Sequence, residues 1–102
     1  SPVYENASLH LDPLRHRVRV HGREVALTAT EFRLLTVLVQ NAGIVLSLNR
    51  LVDLVWGEEG CSVENVRQFI SYLRKKLDGG SSQRQLIETV KEFGYRYNPP
   101  NQ

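Results

Sequence analysis

The sequence predicts an α+β domain with an N-terminal antiparallel β-meander, three helices and a C-terminal β-hairpin. Three observations support this order. Period-two alternation marks residues 8–12 and 15–20, helical periodicity takes over at Thr28 and lasts to Leu77, and two further β-rich runs flank Gly94. A chain of 102 residues, 41% hydrophobic and 24% charged, suits one domain spanning 1–102 that can bury a core without disulfides. Residues 1–7 read as a linker-like N-terminus and 98–102 as a C-terminal tail.

Leu9 and Leu11 alternate before an Asp12-Pro13 turn, and Val18 and Val20 share one face of the next run. His21-Gly22 is a second turn leading into Arg23 to Leu27, while Arg15, Arg17 and Arg19 fit the solvated side of a half-buried sheet. Thr28 is a helix cap whose partner is Glu31, three residues on. Phe32, Leu35, Leu38 and Val39 form that helix's apolar face, and Gly43 follows as a left-handed stop. Ile44-Val45-Leu46 reads as a short buried connector. Ser47 caps a second helix of about nine residues, with Leu48, Leu51, Val52 and Val55 on one side, ending at Trp56-Gly57.

After a polar loop at 57–62, a third helix carries Val66, Ile70, Leu73 and Leu77 on one stripe and ends in Asp78-Gly79-Gly80-Ser81-Ser82. Leu86 to Lys91 and Tyr95 to Tyr97 then form a hairpin across Glu92-Phe93-Gly94. Three helices followed by a hairpin is the winged helix-turn-helix arrangement, in which the third helix can enter a groove with the hairpin beside it.

The net charge is only +2, with a pI near 8.9, but it is unevenly placed. Residues 64–97 hold seven cations against four carboxylates, leaving the remainder net negative. On a helical wheel the side opposite the apolar stripe carries Glu64, Gln68, Ser71, Tyr72 and Lys75, with Arg67 and Arg74 on one flank and Asn65 and Lys76 on the other. Such a face puts base-reading donors and acceptors in the middle and phosphate-binding cations at the edges. A solvated amphipathic face has a similar composition, so the hairpin's Thr89, Lys91 and Arg96 are what favour a duplex. Trp56 suits the core by its apolar area, with an indole N–H that could reach a phosphate.

Other chemistry has little support. His10, His16 and His21 lack a shared metal geometry on strands, and Cys61, a single cysteine, lies far along the chain. No nucleophile and base pair or glycine-rich phosphate loop is visible, so neither enzyme activity, a metal nor a cofactor is expected. With no signal peptide or long apolar run, the expectation is a cytoplasmic protein without membrane contact. The start at Ser1-Pro2 suggests a piece of a longer protein.

Leu27-Thr28-Ala29-Thr30-Glu31-Phe32-Arg33-Leu34-Leu35, Arg50-Leu51-Val52-Asp53-Leu54-Val55-Trp56-Gly57, Leu73-Arg74-Lys75-Lys76-Leu77, Ile87-Glu88-Thr89-Val90 and Gly94-Tyr95-Arg96-Tyr97 resemble the OmpR/PhoB-type winged-helix DNA-binding domain of bacterial two-component response regulators. The resemblance implies a recognition helix over 62–77 in the major groove and a wing over 86–97 on the adjacent minor groove or backbone. It implies that Arg74 contacts a phosphate, that Thr89 touches the backbone, that Lys91 is a basic wing residue and that the Trp56 indole meets a phosphate. It also implies a receiver domain preceding the chain, dimerisation in tandem on DNA, and a 57–61 loop able to touch RNA polymerase. Arg67, Phe69 and Tyr72 stand where many members carry Asp, His and Arg, so the docking mode transfers and the operator does not.

The resulting expectation is sequence-specific duplex binding. Arg67, Gln68, Ser71 and Tyr72 read base edges, Arg74, Lys75, Lys76, Thr89 and Lys91 mainly hold the backbone, and Asn65 and Trp56 complete the DNA-binding set. The rival, favoured by the modest charge, is a winged helix that binds protein instead.

Overall fold

In the computed structural model, which describes residues 3–6, 8–78 and 86–99, the chain opens with a four-stranded antiparallel sheet of β1 (Tyr4–Glu5), β2 (Leu9–Asp12), β3 (Arg17–Val20) and β4 (Arg23–Glu24) in sequential order. Its alternation is as expected: Leu9, Leu11, Val18 and Val20 are buried, and Arg15, Arg17 and Arg19 are exposed. The Asp12 carboxylate shapes the first turn by accepting from the backbone N–H groups of Leu14 at 3.1 Å and Arg15 at 3.2 Å. His21 and Gly22 both have positive φ, as a tight turn between β3 and β4 requires.

β1 corrects the reading of 1–7 as linker-like. Tyr4 pairs with Leu11, and the Asn6 side chain donates to the Tyr97 hydroxyl at 3.1 Å while accepting from Ser8 N–H and Leu9 N–H. Two residues carry too little periodicity to announce an edge strand whose partner is set by register. Residue 98 belongs to the fold as well, because Asn98 N–H donates to the Leu86 carbonyl.

The helices are α1 (Ala29–Gln40), α2 (Leu48–Leu51) and α3 (Val63–Asp78). Both halves of the Thr28–Glu31 capping box form. Ser47 caps α2 through its hydroxyl, which accepts from Arg50 N–H at 3.0 Å. The second helix has its expected length, but Val52–Trp56 winds as a π-helix, with Gly57 N–H bonded back to the Val52 carbonyl. Arg33 of α1 donates to the Val55 carbonyl there, satisfying an acceptor near the helix end. A 3₁₀ turn at Gly57–Glu59 leads towards α3, whose Val66, Ile70, Leu73 and Leu77 are buried. The expected turn at 79–82 lies outside the described residues.

The hairpin consists of β5 (Ile87–Val90) and β6 (Gly94–Tyr97). The connector before α2 is not uniformly buried: Ile44 is 56% exposed, whereas Leu46 is buried and pairs with Tyr95. Leu46 N–H donates to the Tyr95 carbonyl at 2.8 Å and Tyr95 N–H to that of Leu46 at 3.0 Å, so the connector is bridged to β6 at this residue. Strand pairing here outweighs burial of every apolar side chain, because backbone groups removed from water need partners. One core joins the sheet, the helices and the hairpin through Leu34, Leu35, Leu38, Leu51, Ile70, Leu73 and Tyr97.

Close approach of Leu46 to β6 depends on Gly94, where a Cβ would lie 2.0 Å from the Leu46 carbonyl oxygen. Gly94→Ala should therefore destabilise the domain by about 3 kcal/mol. Chemical denaturation would measure the loss; an unchanged midpoint would refute the packing argument.

Candidate nucleic-acid interface

The outer face of α3 is built from its N-terminus. Ser62 accepts from Asn65 N–H at 3.2 Å, capping the helix, and Glu64, Asn65, Arg67, Gln68, Ser71, Tyr72 and Lys75 are all exposed along it. Gln68 Nε2 donates to the Tyr72 hydroxyl at 2.8 Å, one turn along. Arg67 pairs with Glu64, both largely in solvent, an arrangement that holds a long side chain only weakly.

Arg74 sits between this face and the hairpin. Its Nε and Nη2 donate to the Ile87 carbonyl at 3.1 and 2.9 Å, Nη2 also donates to the Thr89 hydroxyl at 2.6 Å, and the guanidinium lies 5.5 Å from the Tyr95 ring centre. The expected phosphate ligand is thus engaged in fastening the hairpin to α3, and it brings Thr89 to the helix. A planar fork of donors suits this position, since β5 is an outer strand of its two-stranded sheet.

At the tip, Lys91 is exposed, Glu92 adopts φ 71° and Phe93 is 70% exposed. Arg96, one of the hairpin residues that favour a duplex in the sequence, is engaged within the hairpin. It lies opposite Glu88 in the ladder and donates to that carboxylate from Nε and Nη2, while Asn98 Nδ2 donates to the same oxygen at 2.7 Å. The Asn98 and Arg96 hydrogen bonds hold the Glu88 carboxyl below its ordinary range.

Lys76 is also committed within the protein. Its ammonium lies 2.6 Å from Glu31 Oε1, the same carboxylate that completes the α1 cap. The Glu31 side chain is only 4% exposed, against 39% for Lys76. Burial pushes this carboxyl up, but the Lys76 and Thr28 hydrogen bonds with the Lys76 charge outweigh it and hold the group below its ordinary value. Lys75 and Lys91 are exposed, and no ion pair with another described residue engages them. Of the expected contacts, Asn65, Arg67, Gln68, Ser71, Tyr72 and Lys75 share the α3 face; Thr89 joins it through Arg74, Lys91 stands on the hairpin tip, and Lys76 turns to α1.

Trp56 is half-buried, its ring centre 5.4 Å from that of Phe69, and Phe69 in turn meets Tyr72 edge-on at 6.4 Å. This aromatic row was not anticipated. The spacing of three between Phe69 and Tyr72 is its only local signal, and Trp56 joins through tertiary packing. Beside it, Glu58 and Glu59 are exposed in the 57–61 loop. Among the described residues no three His, Cys, Asp or Glu side chains come together as a metal site, and no helix is long and apolar enough to cross a membrane.

The family model described as "Transcriptional regulatory protein, C terminal" matches residues 22–97. The chain is 38% identical over 103 aligned positions to the response regulator MprA of Mycobacterium sp. (strain KMS), covering 98% of this chain and 44% of that protein. It is 43% identical over 88 positions to the transcriptional regulatory protein PrrA of Mycobacterium tuberculosis, covering 85% of this chain and 37% of PrrA. It therefore spans less than half the length of these relatives. The Klebsiella pneumoniae RstA DNA-binding domain, crystallised in complex with the RstA box, superposes with a TM-score of 0.85 at 30% identity, covering 98% of this chain and all of that one.

Two substitutions test the charges just assigned to structure. Arg74→Met should cost about 2 kcal/mol of stability and speed amide exchange in β5 and β6 more than in β2 and β3, measured by hydrogen exchange. Glu31→Gln retains a capping side chain but removes the counter-charge of Lys76, for a loss of about 1 to 2 kcal/mol at neutral pH. Because the folded-state value of Glu31 is depressed, its contribution is complete above the ordinary 4.5 and is lost as pH falls through the lower folded value. Melting curves across that range should show a steeper acid decline for the native chain than for E31Q; parallel declines would count against the pair.

Proposed function

This chain belongs to the OmpR/PhoB-type family of transcriptional regulatory protein C-terminal domains, and from that we propose that it binds double-stranded DNA sequence-specifically as the output domain of a response regulator. The observation carrying this reading is the exposed polar face of α3 with the hairpin fastened beside it by Arg74. Two elements offset in this way can follow a duplex: α3 enters the major groove and the hairpin reaches the adjacent minor groove or backbone.

Within that pose Asn65, Arg67, Gln68, Ser71 and Tyr72 meet base edges. Lys75, Lys91 and Thr89 meet phosphates. The Arg74 guanidinium adds its positive charge to the same edge while holding Thr89 in place, and the Trp56 indole, packed on Phe69, meets a phosphate. Lys76 contributes to the field more than to direct contact, since its ammonium is held by Glu31.

The resemblance to response regulators extends the proposal to the longer protein. A receiver domain precedes this domain, two copies bind tandem half-sites, the 57–61 loop contacts RNA polymerase, and the whole acts in the bacterial cytoplasm. The chemistry is recognition without bond making, so neither catalytic group nor cofactor has a part in it.

Titrating salt against affinity for a duplex selected from a random pool tests the central statement. Affinity should fall steeply as salt rises, and Lys91→Ala should lower the slope of log affinity against log salt by about one. Salt-insensitive failure to bind any duplex would favour a protein-interaction module. An unchanged slope in the variant would remove Lys91 from the phosphate contacts.

A further inference from the structure

We infer that Gln68 and Tyr72 form one adenine-reading unit, in which Gln68 contacts the base and Tyr72 positions it; this rests on duplex binding through α3. Both side chains are exposed at the centre of the polar face, one turn apart, and joined by the 2.8 Å hydrogen bond from Gln68 Nε2 to the Tyr72 hydroxyl. That bond uses one of the two amide N–H groups. With the N–H trans to Oε1 given to Tyr72, the other N–H and Oε1 stand side by side on the free edge of the amide, a donor next to an acceptor.

In the major groove adenine presents the complementary pair, an N7 acceptor beside the N6 amino donor. Guanine presents two acceptors, N7 and O6, which leaves Oε1 facing an oxygen. A free glutamine on a helix surface samples many rotamers and loses that freedom on binding, so an amide already restrained gives up less. Tyr72 supplies the restraint and is itself restrained by its T-shaped contact with the Phe69 ring, which packs on Trp56. Residues 56, 69, 72 and 68 thus form a continuous support running from the half-buried end of the second helix to the reading edge. The Tyr72 oxygen accepts from Gln68, so its proton remains available to a neighbouring acceptor on the duplex.

The test is selection from a random duplex pool with this chain, Q68A and Y72F, followed by binding to the selected site with adenine replaced by 7-deazaadenine, which lacks the N7 acceptor. Both positions are exposed, so melting midpoints should match the native chain. The native chain should favour adenine at one position of each half-site by about twentyfold, and both Q68A and 7-deazaadenine should abolish most of that preference. Y72F should reduce it to about fivefold while leaving preferences at positions that the Tyr72 hydroxyl does not itself touch unchanged. A merely structural role for Tyr72 would instead weaken binding to all sequences alike and overturn the positioning role. An enriched site whose adenine preference survives Q68A, or lacks any sensitivity to 7-deazaadenine, overturns the inference alone; a pool with no enriched sequence overturns the DNA reading and the inference with it.

Discussion

Arg74 occupies the joint between the two elements that would have to meet a duplex together. Its guanidinium closes the outer edge of β5 through the Ile87 carbonyl, reaches Thr89 and lies near the Tyr95 ring. On the other side of the hairpin Leu46 exchanges both backbone hydrogen bonds with Tyr95. An isolated two-stranded hairpin is marginal in water, and here both of its edges are tied to the helical body. The position of the tip relative to α3 follows from these two attachments.

A second constraint is the division of cations between structure and surface. Thirteen Lys and Arg residues face eleven carboxylates in the chain, so a small net charge says little about any one face. Lys76 is drawn to buried Glu31 and Arg96 to Glu88, and each partner carboxylate also accepts from another protein donor. Glu31 couples the start of α1 to the last turns of α3 through an ion pair within reach of water on its lysine side. The same carboxylate caps α1, so local helix initiation and long-range docking of α3 share one oxygen.

The fold was legible where spacing alone carries the information. Thr28 and Glu31 announced a helix start, the four, three and four spacing of Val66, Ile70, Leu73 and Leu77 announced the buried side of α3, and the alternation of Leu9, Leu11, Val18 and Val20 announced a half-buried sheet. Once the buried side of α3 is known, its outer face follows from helical geometry. Tyr4–Glu5 was illegible because two residues cannot display a period, and the π-helical Val52–Trp56 because it presents the same apolar pattern as ordinary helix. Ile44-Val45-Leu46 misled through composition: three apolar residues in a row suggest burial, but in an extended connector bridged at Leu46 only the side chains turned inward are buried.

By itself the sequence determined the order and type of the elements from β2 to β6 apart from the π-helical turn, the caps of the first two helices and the set of side chains displayed on α3. These depend on residues a few positions apart, so local geometry suffices. Only the tertiary structure decided which cations are engaged inside the protein and how Tyr72 is supported, because those partners lie 13 residues away for Arg74 and Ile87, 45 for Lys76 and Glu31, and across two helices for Trp56 and Phe69. Packing of the common core brings such groups into hydrogen-bonding range, and no local period encodes which of several similar charges will arrive there.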